Sequence, residues 1–165
     1  MKLHKLTELS LLTAVALIIF VVELHFPDIL PLPGVKLGLA NIITVFAVFR
    51  YRPHETFLLV ASRVLLGTFF SGNPSALLYS AAGALLCLAG MLALRPLLSV
   101  RYLWLCSVIG ALLHNTGQIA AACAVTGSFS VLSYLPFLLL TGSIAGLFTG
   151  LCAQAVTQRM DKMQR

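Results

Sequence analysis

Charge is scarce in this chain of 165 residues: 10% are Asp, Glu, Lys or Arg, against roughly 25% in a soluble domain. Acid is scarcer still, with five acidic side chains of which Asp28 and Asp161 are the aspartates. No paired-aspartate cluster is present to hold Mg²⁺ on a diphosphate, which speaks against metal-dependent phosphoryl or prenyl transfer by this chain. No GxxxxGK[ST] loop occurs, so ATP is not used by that route. No nucleophile–base arrangement stands out either. The four cysteines, Cys87, Cys106, Cys123 and Cys152, sit in apolar segments without CxxC spacing. That argues against a zinc site or a disulfide framework, and leaves them as small apolar fillers. The chain is not expected to be an enzyme, and no cofactor or metal is expected.

Hydrophobic residues fill the sequence, at 59% of the total, with a mean hydropathy of +0.99. Too little polar surface remains to cover a globule in water, while apolar runs long enough to cross a bilayer core of about 30 Å recur along the chain. The expected fold is an all-α integral membrane protein with a single transmembrane domain over residues 1–165. Apolar runs and breakers divide it into six spans, at about 7–24, 35–49, 55–70, 74–97, 102–125 and 131–156. Pro27, Pro31 and Pro33 forbid a continuous helix between the first and second. Pro53 and Pro74 suit the first turns of the third and fourth. The basic start and apolar centre of "MKLHKLTELSLLTAVALIIFVVEL" resemble a signal peptide, but no small-x-small cleavage site comes after it. It reads as a retained first helix.

Orientation comes from the cations. With the N-terminus inside, the inner segments hold Lys2, Lys5, Arg50, Arg52, Arg95, Arg101, Arg159, Lys162 and Arg165, nine of the eleven. The outer loops hold only Lys36, and Arg63 lies within a span. This asymmetry obeys the positive-inside rule and predicts N-in, C-in. The net charge of +6 is thus a topology signal, and its cations form no stripe for nucleic acid. Trp104, Tyr51 and Tyr102 fall where an inner interfacial belt belongs.

Polar groups then gather at one depth. Arg63 stands mid-span in "LLVASRVLLGTFF". His114 falls mid-span in the fifth segment, with Asn115 beside it and Gln118 one turn on. Asn41 lies in the outer part of the second span, Glu23 closes the first, and Lys36 opens the second. Ala111, His114, Asn115, Gln118, Ala121 and Ala122 keep i, i+3, i+4, i+7 spacing, one helical stripe that must face protein or a watery cavity. A mid-span arginine costs about 2.5–3.5 kcal/mol on insertion scales. The functional reading is an outward polar pocket built by Glu23, Lys36, Asn41, Arg63, His114, Asn115 and Gln118. Two cations with amide donors suit a small ligand bearing a carboxylate or phosphate. The structural reading is an Arg63–Glu23 pair, with interhelical hydrogen bonds from the amides and imidazole. In the last span, Gly142, Gly146 and Gly150 form a small-xxx-small ridge suited to close helix packing.

"PGVKLGLANI" (33–42) and "SRVLLG" (62–67) resemble a small bacterial membrane family labelled both heptaprenyl diphosphate synthase component I and Gx transporter. The resemblance runs over nearly the whole chain, and that family is similar to the S components of energy-coupling factor (ECF) transporters. It implies six helices, capture of a small vitamin-like or precursor molecule from outside, and a coupling subunit with separate ATPases. It makes "PDILPLPGVK" a lid and places the chain in the bacterial inner membrane. One departure stands out. S components often carry alanines at four-residue spacing on helix one, whereas Ala14 and Ala16 are two apart, which favours a dedicated partner. The other label implies a non-catalytic membrane accessory subunit in heptaprenyl diphosphate (quinone side chain) synthesis. A purely structural membrane partner of a redox complex is a third option. Expected partners are the lipid bilayer, a small-molecule ligand and the coupling subunit.

Overall fold

The computed structural model describes residues 3–25, 38–72 and 74–163. Among them are six α-helices and no strand: α1 Leu3–Leu24, α2 Asn41–Arg50, α3 Pro53–Ser71, α4 Pro74–Leu94, α5 Leu103–Thr126 and α6 Leu135–Met163. Short 3₁₀ turns at Val100–Tyr102 and Phe129–Tyr134 lead into α5 and α6. Among the described residues, four segments are long and apolar enough to cross a membrane: Leu3–Glu23, Leu77–Leu94, Val100–Thr126 and Phe129–Met163.

The second helix departs most from expectation. It begins at Asn41 rather than near residue 35, because a turn over 38–40 precedes it and Gly38 has φ +77°. That left-handed conformation favours glycine and breaks a helix. The ten residues of α2 rise about 15 Å, half of a bilayer core. The start of α3 is set locally. Pro53 occupies its first turn, and Glu55 turns back to accept from the Arg52 backbone N–H at 3.0 Å, meeting one of the donors a helix start leaves open. Gly72, at φ +64°, ends α3 as a left-handed cap.

Contacts between helices fix their directions. Lys5 meets Glu55 at one end of α1 and α3, and Phe20 packs on Gly67 further along both, so these two run parallel. Helices α5 and α6 run antiparallel, with Ser107 hydrogen-bonded to Thr149 and Asn115 to the Leu138 carbonyl. The glycine ridge lies in this seam. A Cβ on Gly142 would strike the Asn115 side chain, one on Gly146 would sit 3.0 Å from the Val108 Cα, and one on Gly150 2.7 Å from the Trp104 Cα. Helices α4 and α5 close on Gly117, where a Cβ would come within 2.7 Å of the Ala82 carbonyl oxygen. Such backbone approach supplies dispersion contacts where no aqueous hydrophobic effect drives association.

Faces sort accordingly. On α3 the buried residues are Glu55, Thr56, Leu59, Val60, Arg63 and Gly67, a single stripe at helical spacing. Leu58, Leu65, Leu66, Phe69 and Phe70 are exposed on the rest of that helix. Ile144, Phe148 and Leu151 are likewise exposed on α6. A surface of this kind suits hydrocarbon rather than water. The apolar core holds Val45, Val48, Leu59, Met91 and Leu103, toward the end where Lys5, Tyr51 and Arg95 gather.

Candidate functional site

A polar cluster sits in the opposite half of the bundle. Arg63 is brought inward by its place on the buried stripe of α3, and is 7% exposed. Its NH1 donates to Asn41 Oδ1 at 3.2 Å. A guanidinium only donates, so this bond fixes the Asn41 amide and turns its Nδ2 away. That Nδ2 has no partner among the described residues. Glu23, at the end of α1, accepts from the Gly38 N–H at 2.7 Å and the Leu39 N–H at 3.1 Å. The carboxylate therefore clamps the turn ahead of α2 onto α1.

His114, Asn115 and Gln118 line the inner face of α5 and are all buried. Asn115 Nδ2 donates to the Leu138 carbonyl oxygen at 2.6 Å, which ties α5 to α6 and leaves Asn115 Oδ1 without a partner. His114 Nδ1, Gln118 Oε1 and Thr44 Oγ1 are also buried and unpartnered among the described residues. Burying a polar group without a hydrogen bond costs about 1–3 kcal/mol in proteins. Five such atoms on α2 and α5 mark a place that bulk packing does not explain.

A cavity of about 30 Å³ lies among them, lined by Glu23, Gly38, Arg63, Ser80, His114 and Gln118 together with apolar neighbours. The site thus brings together Glu23, Arg63, His114 and Gln118, with Asn41 at its edge. Asn115 belongs to the α5–α6 seam, and Lys36 lies outside the described residues, as does the whole of the expected lid, residues 27–36. Three contributors escape a reading of the sequence alone. Gly38 and Gly83 flank the imidazole: a Cβ on Gly38 would fall 2.7 Å from Asn41 Nδ2 and 3.3 Å from His114 Nε2, and one on Gly83 3.0 Å from His114 Nδ1. Ser80 lies on α4, one turn before Gly83. The glycine in "KLGLANI" is visible in the sequence, but its role depends on which side chains face it.

The other polar group lies where the cations gather. Tyr51 OH donates to Glu8 Oε2 at 3.1 Å, Arg95 NH1 donates to the Tyr51 carbonyl at 3.0 Å, and Lys5 Nζ donates to Glu55 Oε1 at 3.1 Å. Burial and the neighbouring Glu8 carboxylate push the Tyr51 hydroxyl up to about 12, since both disfavour a phenolate. These polar groups answer one another, beside a groove of about 390 Å³ lined by Glu8, Arg50, Tyr51 and apolar side chains.

The family model described as heptaprenyl diphosphate synthase component I matches residues 12–156. The chain belongs to this family. The match agrees with the resemblance carried by "PGVKLGLANI" and "SRVLLG". Component I is the non-catalytic component of that synthase, in line with a chain that is not itself an enzyme. No curated protein and no solved structure matches the chain.

Proposed function

We propose that this chain is a non-catalytic membrane accessory subunit in heptaprenyl diphosphate synthesis, the route to a quinone side chain. The family match over residues 12–156 carries this reading. The sequence agrees in offering no aspartate pair for Mg²⁺ and a largely apolar surface that would keep a catalytic partner beside the bilayer. In this reading six segments cross the bacterial inner membrane with both termini inside, as the cation asymmetry predicts. The test is to measure prenyl chain length and rate for the catalytic component with and without this chain in vesicles. A change in either supports the role; identical products and rates end it.

A second reading is favoured by one observation, the buried polar atoms of His114 and Gln118 that line the Arg63 cavity without partners among the described residues. It makes the chain a solute-binding subunit, like an ECF S component, that takes up a small anionic molecule with a coupling subunit and separate ATPases. Lys36 would then close over the ligand. Mass spectrometry of small molecules that co-purify with the chain, and uptake in a deletion strain, test it. A ligand and an uptake defect support it; neither appearing removes it.

A further inference from the structure

We infer that the Arg63 cavity is a carboxylate site too small for a diphosphate head; this rests on the solute-binding reading. Size decides first. One water needs about 10–15 Å³ of such space, so a cavity of about 30 Å³ takes two or three small heavy atoms. A carboxylate group has that size, and two linked phosphoryl groups are several times too large.

Donors decide the sign of charge. Arg63 makes one hydrogen bond among the described residues, to Asn41 Oδ1, which leaves most of its fork of N–H donors for an acceptor. Asn41 Nδ2 is turned away from this guanidinium toward Gly38, so Arg63 is the donor that meets the anion. Glu23 accepts from Gly38 N and Leu39 N and also lies close enough to attract the guanidinium, so an incoming carboxylate shares Arg63 with it. A planar carboxylate matches a planar guanidinium through two parallel bonds. Gln118 can turn its amide to offer either a donor or an acceptor to the part of the ligand next to its carboxylate.

The full chain in lipid nanodiscs, titrated with sodium acetate, sodium chloride or sodium pyrophosphate at constant ionic strength, tests this by the thermal unfolding midpoint. Acetate is expected to raise the midpoint saturably, with chloride and pyrophosphate inert. Arg63→Lys, which keeps charge but loses the fork, is expected to weaken acetate at least tenfold. Asn41→Asp places a built-in carboxylate against Arg63. It is expected to raise the midpoint without acetate and to abolish the acetate response, so the test survives if an Arg63 variant fails to fold. A pyrophosphate or chloride response dependent on Arg63 overturns the carboxylate assignment and leaves solute binding standing. An acetate response that persists in Asn41→Asp overturns the site. No response to any anion overturns the carboxylate site, while the solute-binding reading stands or falls separately on the co-purification and uptake measurements.

Discussion

The two polar regions of this bundle carry similar side chains and are finished differently. Around Tyr51, the charged and hydroxyl groups answer one another: Lys5 with Glu55, Tyr51 with Glu8, and Arg95 with the Tyr51 carbonyl. In the half of the bundle that holds Arg63, on α2 and α5, five buried polar atoms have no partner among the described residues, two of them, on His114 and Gln118, lining the Arg63 cavity. Both sets are carried by helices that pack well elsewhere, so poor packing is not the cause. A satisfied cluster holds helices together. An unsatisfied one lowers stability and persists where the protein uses the space.

That contrast can be broken experimentally. The largest effect is expected outside both clusters, as a calibration of the frame: Gly117→Val forces a side chain onto the α4 backbone. Overpacking costs about 1–3 kcal/mol where side chains can give way, and a backbone neighbour places this variant at or above the top of that range. Its thermal unfolding in detergent should show the lowest midpoint of the set. Next comes Glu55→Ala, which frees the Lys5 ammonium and the Arg52 N–H. Hydrogen bonds to charged groups are worth about 1.5–3 kcal/mol, so a clear loss is expected by the same measurement. A neutral result would mean the Tyr51 end is decorative rather than structural.

Gln118→Leu should move the other way. It removes an orphaned amide oxygen at nearly constant volume, so stability should hold or rise by less than about 1 kcal/mol, while a response to acetate, whose carboxylate is held by Arg63, should persist. A destabilisation as large as that of Glu55→Ala would erase the distinction between the two regions. The smallest effect is a pH effect. Tyr51 should ionise near 12 rather than at the ordinary phenol value of 10.0, read as the absorbance step that a Tyr51→Phe variant lacks. The folded state holds this proton more tightly than the unfolded chain. Its contribution to stability is therefore complete below pH 10 and lost as pH rises from there toward 12. A step at the ordinary phenol value would mean that the Glu8 contact is not maintained.

Much of the frame is legible in the sequence because lipid makes simple demands. Long apolar runs must be helices, since backbone groups in hydrocarbon can only bond within the segment, and α1, α4, α5 and α6 obey this. The stripe of His114, Asn115 and Gln118 is also readable, because helical spacing alone puts them on one face. Arg63 is legible as an anomaly but not as a contact: its partner Asn41 is 22 residues away, and nothing local selects Asn41 over Glu23. Helix α2 is shorter than its apolar run because hydropathy does not register Gly38, whose positive φ breaks the helix.

Composition and periodicity by themselves determined an all-helical chain with four segments apolar enough to cross a membrane among the described residues, because helix formation in apolar runs depends on residue type and spacing. Two family strings determined its relatives. The tertiary structure alone decided which polar groups are satisfied. It set Glu23 on the Gly38–Leu39 backbone, Asn115 on the Leu138 carbonyl, and Arg63 on Asn41 with most of its donors still to be met. The physical reason is that a hydrogen bond needs two groups within about 3 Å, and proximity between helices is a property of packing that no single segment contains.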